Sequence, residues 1–302
     1  MDNDLASLLA AGERAAFHGP PGAAVSALEQ AVVLAQAQGR TAEVTAAAWL
    51  LGVALAAGGR YGGAFTVLSP LVDGSGASDA PETRLFGALA AATVASVHRQ
   101  LGRHPLARDY DERGLALSEG RGEAGFDCLL GLAADAVGVG DAETARGQFT
   151  EAAGLLADRD DWWRQRVRLD WVRAEVAMLV GEPEEAGAFA AAAVERAEQA
   201  RAPRHVAKGL LFQGVAEVQA GAQEAVGTLR RAATLADGLG CLPLVWPARA
   251  VLGALLAGAA PEESARCLAA ARSAVLTIAS DLPAAVREEW LTRPNVSALL
   301  EG

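Results

Sequence analysis

The chain has 302 residues, of which 52% are hydrophobic but only 5% aromatic, and its formal net charge is −11. Most of the apolar residues are alanine, leucine and valine, a composition that is typical of packed helices and that disfavours a sheet. The negative charge is spread along the chain without a polyacidic block, which argues against binding to nucleic acid or to anionic membranes.

The N-terminal segment is acidic and carries further charges within its first fifteen residues, so it does not have the pattern of a signal peptide. The longest apolar run, residues 85–97, is shorter than the ~18 residues that a membrane helix requires. Cys128, Cys241 and Cys267 are odd in number and lack CxxC spacing, which predicts buried thiols in a reducing compartment. We therefore expect a cytoplasmic protein.

A repeat of about 40 residues runs along the chain, and residues 49–68, WLLGVALAAGGRYGGAFTVL, show its unit most clearly. An apolar segment ends at a glycine, and an alanine follows five residues later. The alanines are Ala24, Ala64, Ala107, Ala145, Ala186, Ala225 and Ala265. The glycines are Gly19, Gly59, Gly102, Gly140 and Gly181, with Gly221 and Gly258 shifted by one or two positions. A constant period of this length indicates a solenoid.

Each unit predicts two antiparallel helices, such as residues 41–57 followed by residues 61–72. Glycine ends the first helix because it enters the left-handed conformation without steric cost. The alanine of the second helix predicts a close crossing of the two helices. Small residues seven positions before the turn glycine support the same crossing: Gly12, Gly52, Ala95, Ala133 and Ala174.

The order of residues in this unit resembles the tetratricopeptide repeat. The residues that carry the resemblance are Leu51, Gly52, Leu55, Gly59, Tyr61, Ala64 and Leu68. The family repeat has about 34 residues, so units near 40 are similar to the extended repeats of bacterial regulatory proteins. The resemblance implies an all-α, right-handed superhelical solenoid of about seven helical hairpins over residues 1–280.

The C-terminal segment, residues 281–302, breaks the period with Pro283 and Pro294. It resembles the end of the repeat regions in actinobacterial transcriptional regulators and regulatory ATPases. We expect it to form a cap on the last hairpin, through Val286, Trp290, Leu291, Val296 and Leu300. Residues 73–81 are rich in glycine, serine and aspartate, and we expect them to form a surface loop between the second and third units.

The resemblance also implies where a partner binds. In that family the first helices line the concave surface, and ligand-facing positions fall thirteen, ten, six, three and two residues before the turn glycine. The candidate groove residues are therefore Trp49, Val53, Ser96, Arg99, Gln100, Asp127, Arg168, Trp171, Glu175 and Lys208. Trp49 and Trp171 share one repeat position, and each either anchors an apolar side chain in the groove or packs in the core.

No residues show a recognisable reaction centre. The phosphate-loop and nucleophile-elbow motifs are absent, and Gly102 separates His98 from His104, so these histidines do not share a helical face. Residues 158–161 are interpreted as carboxylates at a helix start, and residues 109–113 as the solvated face of a helix. We predict no catalytic residue, no metal and no cofactor.

The sequence favours a non-enzymatic scaffold that binds a peptide or a helix of another protein in the concave groove. A regulatory sensor for a small molecule or signalling peptide is the alternative, and an enzyme or biosynthetic accessory protein with an interior pocket is the third hypothesis. Leu5, Leu8 and Leu9 form an apolar edge on the first hairpin. This edge either folds over on the chain itself or pairs with a second copy, and a homodimer is slightly favoured.

Overall fold

The structure is a computed structural model that describes residues 2–76, 80–157 and 159–301. In these residues it contains sixteen α-helices and no β-strand. The helices are α1 (Asp2–His18), α2 (Pro21–Ala37), α3 (Thr41–Gly58), α4 (Tyr61–Ser75), α5 (Pro81–Gln100), α6 (His104–Ser118), α7 (Gly122–Gly138), α8 (Ala142–Gly154), α9 (Trp163–Leu179), α10 (Pro183–Gln199), α11 (Pro203–Gln219), α12 (Ala225–Leu239), α13 (Leu242–Leu256), α14 (Pro261–Asp281), α15 (Ala284–Leu291) and α16 (Pro294–Glu301).

Consecutive helices pack as hairpins from α1 and α2 to α13 and α14, and each hairpin packs on the next. The predicted all-α, right-handed tetratricopeptide-like solenoid is confirmed. The two helices predicted for the second unit are present, although α4 continues to Ser75. Of the predicted surface loop, residues 77–79 lie outside the described residues.

Five of the predicted turn glycines adopt the left-handed conformation. Their φ angles lie between 69° and 85°, at Gly59, Gly102, Gly140, Gly181 and Gly221. Gly19 and Gly258 do not have a positive φ, so the prediction was wrong for these two turns. Gly19 precedes Pro20, and a residue before proline is restricted towards extended backbone.

The small residues lie where the two helices of a hairpin cross. A Cβ atom added to Gly52 would lie 2.3 Å from Leu68 Cδ2, and one added to Gly12 would lie 2.4 Å from Leu28 Cδ2. The predicted alanines are buried in the first six units, but Ala265 in the seventh is exposed. There Ser264 is buried instead, and its hydroxyl donates a hydrogen bond to the Gly253 carbonyl at 2.7 Å. The repeat register is therefore shifted by one residue in the last hairpin.

The curvature of the solenoid brings its two ends into contact. Helix α1 contacts α11, α3 contacts α13, and α4 contacts α14. The Gly63 amide donates a hydrogen bond to Asp281 Oδ2 at 3.1 Å, and a Cβ atom on Gly62 would lie 1.9 Å from the Asp281 carbonyl oxygen. Since first helices from opposite ends meet, the concave face is a narrow interior.

Helices α15 and α16 pack on α14, and Trp290 and Val296 are buried in a core cluster that also contains residues of α3, α4 and α5. The remaining residues predicted for the cap, Val286, Leu291 and Leu300, pack against the same cluster. Arg103 and Glu289 form an ion pair at 3.2 Å. The C-terminal helices thus reach the turn between α5 and α6 as well as the last hairpin.

Among the described residues, α3 is the one helix whose length and composition would allow it to cross a membrane, and half of it is buried inside the fold. It packs against α2, α4 and α5, as a core helix of a helical array does. Cys128, Cys241 and Cys267 are free and buried, as the sequence predicted.

Candidate ligand site on the concave face

The first helices of the hairpins lie on the inner side of the curve. Each of them contacts the first helix of the next hairpin, from α1 and α3 to α11 and α13. The second helices of successive hairpins show no comparable contacts among the described residues. Helices that converge in this way occupy the concave side of a curved array. The interior is therefore lined by the first helices of the hairpins, which are α1, α3, α5, α7, α9, α11 and α13.

Charged pairs one helical turn apart occur at the same repeat position on three successive inner helices. Residues seventeen and thirteen before the turn glycine are Glu123 and Asp127 on α7, Arg164 and Arg168 on α9, and Arg204 and Lys208 on α11. The first two pairs neutralise each other across α7 and α9. Arg164 lies 3.0 Å from Glu123, and Arg168 lies 2.6 Å from Asp127.

Arg99 is the centre of a second charged group. Its guanidinium donates two hydrogen bonds to Asp135, at 2.9 and 3.1 Å, and one to Asp111 at 2.5 Å. His104 Nδ1 lies 3.1 Å from Asp135 Oδ1. Asp111 is fully buried, and its burial raises the pKa of its carboxyl well above the usual value, although Arg99 opposes this effect. The interpretation of residues 109–113 as a solvated face was therefore wrong for Asp111.

Lys208 lies over two aromatic rings. Its Nζ atom is 4.5 Å from the ring centre of Trp171 and 5.2 Å from that of Phe212. Burial lowers the pKa of Lys208 to about 8, and the attraction of Glu175 only partly opposes this shift. The ammonium is thus held against an aromatic surface with weak solvation.

Trp171 is 6% exposed and belongs to the core that α9, α10 and α11 share. Its ring stacks on His205, with 5.5 Å between ring centres. Burial lowers the pKa of His205 well below its usual value, and the nearby positive charges of α9 and α11 act in the same direction. His205 is consequently neutral near pH 7.

Three charged side chains of the interior form no ion pair within the described part of the chain. Glu175, Arg204 and Lys208 are partly exposed and have no oppositely charged atom within 4.0 Å. Arg204 Nε is a buried atom without a hydrogen-bond partner. Burial raises the pKa of Glu175, and the positive charge of Lys208 opposes this effect most strongly. Unpaired charges in a partly desolvated interior are costly for a fold.

The candidate groove residues do not form one continuous surface. Trp49 is half-buried between Phe17 and Phe86, with ring centres 6.4 and 5.9 Å away, in a cluster separate from that of Trp171. Val53 and Ser96 are half-buried and Gln100 is exposed. The structure instead brings Arg99, Asp127, Arg168, Trp171, Glu175 and Lys208 together around the charged interior.

The two histidines singled out in the sequence have different surroundings. His98 stacks between Phe65 and Tyr110, with ring centres 4.8 and 5.4 Å away, whereas His104 faces Asp135. In the acidic segment before α9, Asp158 lies outside the described residues, and Asp160 is exposed and lies 3.5 Å from Arg166.

An open groove of about 710 Å³ lies between α10, α11 and α12. Val206, Leu210 and Leu235 contribute to its apolar walls. Its two arginines already face carboxylates, because Arg230 pairs with Glu263 at 2.9 Å and Arg231 lies 3.8 Å from Glu198. The groove therefore lacks the unpaired charges that distinguish the concave interior.

The fold defines the chain as a tetratricopeptide-like helical solenoid. It is similar to the structure of a Rap protein complexed with Competence and Sporulation Factor, with a TM-score of 0.64, 12% identity, and coverage of 98% of this chain and 78% of that chain. BtubC (BKLC) from P. vanneervenii is also similar, with a TM-score of 0.48, 15% identity, and coverage of 78% and 92% of the two chains. No family model and no curated protein matches the sequence. At these identities the comparisons show a shared fold alone.

Sequence reasoning missed Arg164, Arg204, Asp111, Asp135 and His205. Arg164 and Arg204 lie four residues before two predicted groove positions, and their shared distance of seventeen residues from the turn glycine is a signal that the sequence does contain. Asp111 and Asp135 meet Arg99 from two other helices, so only the three-dimensional packing reveals their role.

Proposed function

We propose that the protein is a non-enzymatic interaction scaffold whose concave face holds a peptide or a helix of a partner protein in the cytoplasm. The observation that carries this proposal is the set of partly exposed, unpaired charges on the inner face, Glu175, Arg204 and Lys208. Such groups gain free energy when a ligand supplies the missing partners. Phe212 is partly exposed and adds apolar surface beside Lys208.

The structural comparison supports a binding role. The similar Rap protein was solved in complex with Competence and Sporulation Factor, so a solenoid of this shape can carry a bound factor. The acidic surface of this chain, with its net charge of −11, supports a protein or peptide partner rather than nucleic acid or membrane.

A sensor is the second candidate, and a specific series of contacts favours it. Trp171 stacks on His205, His205 contacts Trp163 at 5.1 Å, and Trp163 contacts His18 at 5.5 Å between ring centres. His18 lies 3.3 Å from the Arg201 carbonyl, where α1 meets the later hairpins. A ligand that moves Trp171 could thereby change the contact between the two ends of the solenoid.

The scaffold proposal is tested by affinity capture from the lysate of the native host. The wild type is compared with Glu175→Gln/Lys208→Gln, and Glu262→Gln/Arg266→Gln serves as an exposed control with the same change of charges. All three proteins must first show equal helicity by circular dichroism. A partner that is retained by the wild type and the control but lost by the interior variant supports the proposal. A partner that all three retain contradicts it.

A homodimer remains part of the proposal. Leu5 is fully buried, and Leu8 and Leu9 pack partly against the cluster of α1, α2 and α3. The exposed parts of Leu8 and Leu9 offer a small apolar edge to a second copy. Light scattering at several protein concentrations distinguishes a dimer from a monomer, and Leu8→Gln/Leu9→Gln is expected to shift a dimer towards the monomer.

A further inference from the structure

We propose that Arg204 and Lys208 form a carboxylate-binding site on the inner face of α11. This inference deepens the proposed function, because it names the chemical group of the ligand that the concave face holds. Unlike the groove predicted from the sequence, the site includes Arg204. It does not include Trp49 or Gln100.

The first argument is the repeat register. Arg164 and Arg168 on α9 have the same spacing and repeat position as Arg204 and Lys208 on α11. The pair on α9 receives two carboxylates from α7, at 3.0 Å from Glu123 and 2.6 Å from Asp127. The pair on α11 has no carboxylate within 4.0 Å among the described residues. The same arrangement that binds carboxylates on α9 is thus unoccupied by protein groups on α11.

The second argument is the local charge. The positive charges of Arg168 and Arg204 disfavour protonation of Lys208. Arg164, Arg168, Arg204 and Lys208 all disfavour protonation of the buried His205. Glu123 and Asp127 contact this group, and Glu175 attracts Lys208 without forming an ion pair, so these four positive charges face three negative ones. An excess of positive charge in the interior of a chain of net charge −11 attracts an anion from solution.

The third argument comes from buried polar atoms beside the pair. Trp171 and His205 are 6% and 2% exposed, and Trp171 Nε1 and His205 Nδ1 have no hydrogen-bond partner in the described structure. Buried polar atoms without a partner are rare in folded proteins. Both residues adjoin the pair, since Lys208 lies over the Trp171 ring and Trp171 stacks on His205, so two further polar groups beside Lys208 are left without a partner by the described residues.

The chemistry of the pair favours a carboxylate attached to an apolar group. A guanidinium binds a carboxylate through two parallel hydrogen bonds, and an adjacent ammonium adds a third charge-assisted bond. Phe212 is partly exposed beside Lys208 and offers aromatic surface to the remainder of the ligand. The C-terminus of a peptide and an acidic side chain both meet this description.

Lys208 is the only lysine in the chain, so an amine-acylating reagent modifies Lys208 and the chain amino group alone, and peptide mapping separates the two. At pH 7.5 and constant ionic strength, replacing chloride with succinate is expected to slow acylation of Lys208 by about 2.5-fold, as a rise of half a unit from a pKa of about 8 implies. The rate at the amino group should not change. Protection should be lost in Arg204→Gln, retained in part in Arg204→Lys, and retained fully in the exposed control Arg266→Gln.

Three results would overturn the site: equal rates in succinate and chloride, equal protection of the wild type and Arg204→Gln, or stronger protection by inorganic phosphate than by succinate. Pools of short peptides then identify the source of the carboxylate. A pool without Asp or Glu is used with free C-termini and with amidated C-termini, and a third pool is amidated and contains one Glu. Protection by the amidated neutral pool would contradict the carboxylate site while leaving the peptide scaffold intact. Protection by succinate but by no peptide pool would uphold the site and contradict the peptide scaffold.

Discussion

Replacing Lys208 with methionine is expected to stabilise the protein in the absence of ligand. Burial lowers the pKa of Lys208 from its ordinary value of 10.5 to about 8, and this shift corresponds to a loss of stability of at most about 3 kcal/mol near pH 7. The contacts with Trp171 and Phe212 return about 1–2 kcal/mol. Methionine has a similar length and packs well on aromatic rings. The free energy of unfolding should therefore rise by about 1–2 kcal/mol.

The pH dependence gives the sharper test. Below pH 8 the lysine is charged in both the folded and the unfolded protein, so the full loss of stability caused by its burial is present. Between pH 8 and 10.5 the folded protein loses this proton first, and the wild type gains stability relative to Lys208→Met until the difference disappears. Urea denaturation at pH 7, 9 and 10.5 measures this difference, with the exposed Arg266→Met as the control. A variant that is less stable at pH 7, or a difference independent of pH, would refute the reasoning.

Three further predictions concern the fold. Gly52→Ala should destabilise the protein by about 1–3 kcal/mol because the new methyl group overlaps Leu68. Gly187→Ala, on an open face of α10, should instead stabilise it by about 0.5–1 kcal/mol. Thermal unfolding that ranks the two variants in the opposite order contradicts the close crossing of α3 and α4. Asp111→Asn should cost about 1–3 kcal/mol in urea denaturation because Arg99 loses one of two carboxylates, while the exposed Asp109→Asn should change stability by less than about 0.5 kcal/mol. Burial lowers the pKa of His98 from 6.5 to about 4, so the histidine of the unfolded chain is protonated first as the pH falls. His98→Phe should therefore gain stability over the wild type by up to about 3 kcal/mol between pH 6.5 and pH 4. A difference in stability that does not change with pH would exclude a neutral, buried His98.

The hairpin architecture could be predicted because it depends on small residues at fixed positions. Gly52 faces Leu68 too closely for a Cβ atom, and five of the seven turn glycines have a positive φ, so both requirements appear directly in the sequence. The predicted register was wrong at Ala265, because Ser264 occupies the buried position and its hydroxyl donates a hydrogen bond to the Gly253 carbonyl. A sequence pattern of alanines cannot indicate that a serine has found such a partner.

The candidate site could be predicted only in part. Counting from the turn glycine identified Asp127, Arg168 and Lys208, because their position on the helix fixes the side on which they lie. The role of Asp111 could not be found in this way, because the residue lies within a run of exposed charged residues. Its burial is tolerable only because Arg99 reaches it from another helix, and the distance between them depends on how the hairpins pack.

The unpaired charges of α11 can be understood by comparing them with those of α9. Both helices carry two basic residues at equivalent positions, but α7 supplies carboxylates to Arg164 and Arg168. A chain selected for stability alone would have carboxylates beside Arg204 and Lys208, or apolar residues in their place, since an unpaired charge in a partly desolvated interior is destabilising. The substitution that should stabilise the empty protein, Lys208→Met, is also expected to remove the charge that we propose binds the carboxylate of the ligand. A residue that lowers stability while offering an unsatisfied charge to a narrow interior has the properties of a binding residue.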